Sequence, residues 1–224
     1  MATVKHDLHI HSDYSDGSSK VYEIVERAHT LGLAIIAITD HFWPSLGSRR
    51  GGISLIERRR REIEDARSYF PDLIILDGAE VDIGSDGSLA EVAGGLEQFD
   101  LVIGSFHWSM DSTQWAHALD MALRDPQFQI LGHFDGYLTY YREEDGERAA
   151  EALAKAGVSV ELSGRYQVRH THFLQVAQEA GCRFSLGSDS HSVESVGRTQ
   201  FQNRLASDMN LRLKNPIEML KTKA

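Results

Sequence analysis

Short apolar runs recur along the whole chain, and nearly all of them end in residues that can hold a metal ion. The runs are VKHDLHIH (4–11), LAIIAITDH (33–41), DLIILDGAEVDI (72–83), DLVIGSFH (100–107), FQILGHFD (128–135), VSVELSG (158–164) and RFSLGSDSH (183–191). Several are apolar through their middles, the pattern of parallel strands buried on both faces. Segments of helical period lie between them. In SKVYEIVERAHTLG, Val21, Ile24, Val25 and Ala28 recur at i, i+3, i+4 and i+7. ISLIERRRREIEDARSYF sets Ile56, Ile63 and Ala66 on one side and stops before Pro71. STQWAHALDMALRD stops before Pro126, while GERAAEALAKAG and HFLQVAQEAG each end at glycine, a common C-terminal cap. Residues 85–99 show no clear period and leave room for a short helix at most. About seven βα steps predict an α/β fold, a parallel sheet covered by helices.

Such a sheet is either open and doubly wound or closed as a barrel. No Gly-rich loop follows any run, so dinucleotide and P-loop nucleotide binding have no support. The barrel gains support from the reactive residues. His9 and His11, Asp40 and His41, Glu80, His107, His133, and Asp189 and His191 all stand at run ends. Barrel active sites lie at the C-terminal ends of the strands. Side chains alternate along a strand, so His9 and His11 should point the same way, as should Asp189 and His191. By the same rule Asp7 is expected on the face of His9, placed to orient a ligand imidazole. His6 falls on the other face and is not expected to be a ligand. His29, His117, His170 and His172 fall in helices or loops and read as structural or solvent-facing.

Imidazole with carboxylate and no thiolate suits Zn, Mn or Fe. The single cysteine, Cys182, reads as a small buried residue and excludes an intrachain disulfide. The candidates outnumber the four ligands of one tetrahedral ion, so two or three ions with a bridging carboxylate are expected. A formal net charge of −10 argues against a nucleic-acid partner. ERRRRE (57–62) reads as a solvated helix face. No apolar run approaches the ~20 residues of a membrane span, and MATVKHD has no apolar lead. A soluble, cytoplasmic protein without a membrane partner is expected.

The motifs DLHIHSDYSDG (7–17), ITDH (38–41), the Glu80 of LDGAEVDI, GSFH (104–107), ILGHFD (130–135) and LGSDSH (186–191) resemble, in type and order, those of the PHP family. That family is named for its polymerase-associated and histidinol-phosphatase members. The resemblance spans almost the whole chain. It implies a single PHP domain over 1–224, built as a distorted (β/α)7 barrel, TIM-like, with a trinuclear metal site at the C-terminal ends of the strands. It further implies one ion on His9, His11, Glu80 and Asp189. A second ion would share Glu80 and take His107 and His133, and a third would take Asp16, His41 and His191. Some relatives carry His where this chain has Asp16. The short connection between His107 and His133 resembles small, stand-alone phosphatase-type members.

The expected activity is metal-dependent hydrolysis of a small-molecule phosphomonoester, histidinol-phosphatase-like or acting on a nucleotide or sugar phosphate. A hydroxide bridging two of three divalent ions (Zn, Mn or Fe, with Mg as an option) would attack phosphorus. His9, His11, Glu80, Asp189, His41 and His191 would carry catalysis through those ions. Arg165 and Arg169 in ELSGRYQVRHTHF, and Arg198 after the last run, are candidates to hold phosphate oxygens. HFWPSLGSRRGG (41–52) has the composition of a lid. Tyr137, Tyr140 and Tyr141 are placed either to stack on a ring or to pack the barrel rim. The alternatives are a nuclease or nucleotide phosphodiesterase on the same metals, and a non-catalytic metal-binding module. An amidohydrolase with a bridging lysine is disfavoured, because Glu80 occupies the bridging place.

Overall fold

Strands alternate with helices along most of the chain, in a computed structural model that describes residues 5–42 and 52–217. The principal strands are β1 (His6–Ile10), β2 (Ile35–Ile38), β3 (Ile74–Asp82), β4 (Leu101–Ser105), β6 (Ile130–Leu131), β8 (Ser159–Ser163) and β9 (Phe184–Gly187). They form one sheet in that order, and every neighbouring pair is parallel. The first and last strands meet through a bridge between Ile10 and Ser190, where the His11 N–H donates to the Ser190 carbonyl at 2.9 Å. The sheet is therefore a nearly closed barrel, sewn together at the C-terminal ends of its strands. A separate two-stranded sheet pairs β5 (Met110–Asp111) with β7 (Leu138–Tyr140).

The helices are α1 (Val21–Thr30), α2 (Ile53–Tyr69), α3 (Ser112–Ala122), α4 (Glu143–Ala156), α5 (Thr171–Ala180) and α6 (Gln200–Asp208). The α1 stripe buries the expected Val21, Ile24, Val25 and Ala28. The α4 helix starts a turn earlier than its apolar period does. Glu143, Glu144 and Asp145 sit in its first turn, where acidic groups oppose the helix dipole favourably. Asp145 is also tied to α3, accepting from the Ser112 and Thr113 hydroxyls at 2.8 Å each. Between β3 and β4 there is no helix among the described residues, only turns. The consecutive Gly94 and Gly95, with φ of 85° and 81°, are incompatible with helix there. The βα alternation breaks at that step, and the barrel is distorted accordingly.

The strands are buried on both sides, as their apolar middles predict. Leu8, Ile35, Ala37, Leu76, Leu101, Ile103 and Ile130, all from strands, plug the barrel below the site. On the outside Ile36, Ile38 and Ile75 pack with Val21, Ile24 and Ile63 of the helix layer. At ~25 cal/mol per Å² such burial is the main favourable contribution to folding. One expectation fails in this layer. Arg59, in the middle of ERRRRE, is fully buried rather than solvated. Its guanidinium donates to Asp40, to Asp77 and to the carbonyls of Ile38 and Gly78, and lies 4.6 Å over the Phe42 ring. Arg58 and Arg61 remain exposed.

Candidate metal centre

Glu80, near the end of β3, occupies the middle of a crowd of imidazoles. Its Oε2 lies 3.1 Å from His9 Nε2 and 3.3 Å from both His11 Nε2 and His41 Nε2. Its Oε1 lies 3.0 Å from His133 Nε2 and 3.5 Å from His107 Nε2. The two oxygens of one carboxylate thus face two different sets of histidines, five rings drawn from four strand ends. Asp189 Oδ1 adds a further acceptor, 3.5 Å from His11 Nε2 and from His191 Nδ1. Asp16 Oδ2 is 3.0 Å from His191 Nε2 and 4.0 Å from His41 Nε2. All nine expected ligands therefore converge. His41 stands nearer Glu80 than Asp16, between the first and third sets inferred from the motifs.

The donor chemistry fits divalent cations. His9, His11 and Glu80 offer atoms within 4.8 Å of one another, and so do His41, Glu80 and His107, and His11, Asp189 and His191. His9 Nε2 and His11 Nε2 approach to 3.0 Å while facing the same Glu80 oxygen. Burial alone would lower the His9 pKa, but Glu161, Glu80 and Asp189 around it raise it well above its ordinary value. Without metal, His9 is thus held protonated beside carboxylates, in the place where a cation would sit. Burial works against Glu80 ionising, yet His9 and His41 hold its pKa well below the usual carboxylate range. His41 is pushed down to about 4, chiefly by burial, so it is neutral and available as a ligand at pH 7. His133 and Asp189 have positive φ values of 21° and 52°. Such strain in non-glycine residues concentrates at functional sites.

Asp40 does not join the cluster. As the immediate neighbour of His41 it points to the opposite side of the strand. There it meets Arg59 and accepts from the Ser12 N–H and hydroxyl at 2.7 Å each and from the Ser15 hydroxyl at 2.6 Å. It pins the loop that carries Asp16. Asp7 does not orient an imidazole either. The β1–β2 register shifts between Asp7 and Ile10, so the extra residue breaks the alternation that would have put Asp7 with His9. Asp7 instead accepts from the backbone N–H of Ser188 at 2.7 Å and of Gly197 at 2.8 Å. His6 stays out of the cluster, accepting from the Leu186 N–H at 3.3 Å.

Two carboxylates outside the expected set serve the imidazoles. Glu161 Oε1 accepts from His9 Nδ1 at 2.8 Å, and Asp82 Oδ1 meets His107 Nδ1 at 2.5 Å. A carboxylate behind a ring fixes its orientation and leaves Nε2 toward a metal. Both had a sequence signal. Asp82 lies two residues after Glu80 on one strand face, and Glu161 interrupts an otherwise apolar run.

A small cleft of about 90 Å³ opens over the cluster, lined by Asp16, His41, Glu80, His107, Tyr137, Arg165, Tyr166, Asp189 and His191. Of the three candidate arginines only Arg165 borders it, with Nη1 2.6 Å from His191 Nδ1 and 3.6 Å from Asp189 Oδ1. Arg169 is committed elsewhere, donating to the carbonyls of Asp135 and Leu138. Arg198 is exposed and is not part of the cleft lining. Tyr137 faces the cleft and pairs with Tyr166, hydroxyl to hydroxyl at 3.3 Å. Tyr140 is exposed, and Tyr141 turns to His170 and His172. Most of the lid expected over 41–52 lies outside the described residues.

A family model described as the PHP domain matches residues 7–163 of the chain. The chain belongs to the PHP family. The match runs from within β1 to the end of β8, and β9, Asp189 and His191 lie beyond it. The chain is 29% identical over 204 residues to the DNA polymerase/3'-5' exonuclease PolX of Bacillus subtilis, covering 88% of this chain but 36% of that protein. It is also 29% identical over 224 residues to a protein named as a probable phosphatase in Caldanaerobacter subterraneus, covering 92% of this chain and 83% of the relative. Its fold matches histidinol phosphate phosphatase of Lactococcus lactis, solved with zinc, L-histidinol and phosphate. That match has a TM-score of 0.70 at 18% identity, covering 95% of this chain and 96% of the other. No helix of the described residues is long and apolar enough to cross a membrane.

Proposed function

We propose that this PHP domain is a metal-dependent phosphatase that removes the phosphoryl group from a small-molecule phosphomonoester. The observation that carries the reading is the single Glu80 carboxylate, with His9, His11 and His41 on one oxygen and His107 and His133 on the other. One ion would lie on His9, His11, Glu80 and Asp189, a second on Glu80, His107 and His133, and a third on Asp16, His41 and His191. Zn, Mn or Fe suit these donors best. Such ions would supply a water nucleophile near neutral pH and neutralise phosphate charge.

The protein's own groups do the rest. Arg165, at the cleft edge, would hold non-bridging phosphate oxygens through charge-assisted hydrogen bonds. The Tyr137–Tyr166 pair also lines the cleft, with the Arg165 guanidinium 6.0 Å from the Tyr166 ring centroid, and would lie beside the bound ester. At about 90 Å³ the cleft is far below the ~300–1,000 Å³ of typical ligand pockets. It suits a phosphoryl end, with the remainder of the ester lying over the rim. The kinship of the zinc- and phosphate-bound histidinol phosphate phosphatase fold and of the probable phosphatase supports this reading.

A second reading, release of nucleotides from a strand end, draws on the exonuclease relative. The net charge of −10 weighs against it. The test is a phosphatase screen with Mn, Zn, Fe or Mg supplied separately. Substrates are histidinol phosphate, nucleoside mono- and bisphosphates, sugar phosphates and a labelled single-stranded oligonucleotide. Free phosphate from a monoester supports the first reading. Mononucleotide release with no monoester turnover overturns it in favour of the second.

A further inference from the structure

Glu80 has a counterpart on the far side of the same histidines. Glu161 is a buried carboxylate in the middle of β8, and each of its oxygens has one partner. Oε1 accepts from His9 Nδ1 at 2.8 Å, and Oε2 accepts from the His133 backbone N–H at 2.8 Å. Glu80 meets the same two residues from the front, with Oε2 at His9 Nε2 and Oε1 at His133 Nε2. The two rings lie between these carboxylates, 6.1 Å apart and within 22° of parallel. Space for Glu161 is built into β9. A Cβ on Gly187 would stand 2.0 Å from Glu161 Oε1 and 2.5 Å from the His9 Cβ. The His133 N–H it receives belongs to the residue with φ of 21°, a conformation that needs outside support.

We propose that Glu161 is a positioning residue that couples two ion positions, by fixing the His9 tautomer and the His133 backbone with one carboxylate. Behind His9 it accepts the Nδ1 proton and leaves the Nε2 lone pair for a cation. Behind His133 it holds the strained turn that aims Nε2 at Glu80. Asp82 makes a useful contrast, because it touches His107 and so serves the second position alone. The proposal rests on the reading of His9 and His133 as ligands to different ions. It does not depend on which ester, if any, is hydrolysed.

The experiment titrates the metal-free full chain with Mn²⁺ or Zn²⁺ by calorimetry. Glu161→Gln keeps the volume but cannot accept at both oxygens. It should weaken two successive binding events by about 10- to 100-fold each, the usual effect of losing an outer partner. Asp82→Asn should weaken one. Weakening of a single event by Glu161→Gln, or of none, overturns the coupling. If Glu161→Gln does not fold, the wild-type chain still decides through ¹⁵N spectra of its histidine rings. Metal-loaded His9 should carry its proton on Nδ1, and a proton on Nε2 instead overturns the proposal. An inactive but metal-binding protein would leave this inference standing while removing the phosphatase reading.

Discussion

At the floor of the site, His9, Glu80 and His133 come from strands or their ends, and their side chains are at most 1% exposed. At the rim, Asp16, His191 and Arg165 come from loops and are 32, 24 and 47% exposed. The floor is held from behind by Glu161 and by the apolar plug of the barrel. The rim is held by the polar lacing of Ser12 and Ser15 to Asp40, which rests on Arg59. A strand-borne ligand has its position set by the sheet, whereas a loop-borne one depends on hydrogen bonds that water can replace. The floor should therefore bind metal tightly and the rim more weakly.

The strongest test of that contrast is Glu80→Ala. It removes the acceptor shared by both halves of the floor and should cut turnover by well over the ~10- to 100-fold of losing an outer partner. Elemental analysis of the purified protein should show ions missing. Asp16→Ala, at the rim, should cost one ion and leave the floor loaded. Equal metal loss in the two variants would break the distinction.

The support beneath the rim is tested next. Arg59→Met leaves Asp40 buried without its cation and Asp77 with Arg60 alone. Breaking a buried pair this way costs about 3–5 kcal/mol, read as a shift in the urea midpoint. A shift below about 1 kcal/mol would mean that the lacing does not depend on Arg59. Smaller again is Arg165→Ala, expected to lower kcat/KM by about 10- to 100-fold, since a hydrogen bond to a charged group contributes about 1.5–3 kcal/mol. Arg198→Ala should change it by no more than about twofold, as an exposed substitution does. If Arg198→Ala were the more damaging of the two, the ester would bind outside this cleft.

The gentlest effect is on pH. His41 is pushed down to about 4, mainly by burial. The unfolded chain therefore takes up a proton near pH 6.5 that the folded, metal-free chain refuses. Stability contributed by neutral His41 is present above pH 6.5 and is lost as pH falls toward 4. His9 acts in the opposite sense. Its pKa is raised, so its contribution is present below pH 6.5 and is lost as pH rises through the folded value. Metal must displace that proton, so affinity at the floor should rise with pH. Urea midpoints of the metal-free wild type and His41→Asn, compared from pH 4 to 8, separate the two. A variant that keeps the wild-type slope below pH 6.5 would remove His41 from this account.

Much of this was legible in the chain, for identifiable reasons. Strand ends carry metal-capable residues one or two at a time, so His9, His11, Glu80, His107 and Asp189 stood out against apolar runs. The α1 stripe and the glycine ends of α4 and α5 followed from local preference. Other features escaped because they depend on pairing between distant segments. The register shift in β1 reassigns Asp7, yet nothing in residues 4–11 announces an extra residue against β2. Arg59 sits in a run that reads as solvated until α2 is laid on β2 and β3, where Asp40 and Asp77 await it.

The sequence by itself determined the βα order and the identity of the metal-capable residues, because period and residue type are local properties. Tertiary structure alone decided which of them share one carboxylate and which carboxylates stand behind the rings. It also decided which arginine reaches the cleft. Those answers depend on how β1, β3, β6, β8 and β9 close around a common axis. Closure brings together residues as far apart as His9 and Glu161, whose contact no spacing along the chain encodes.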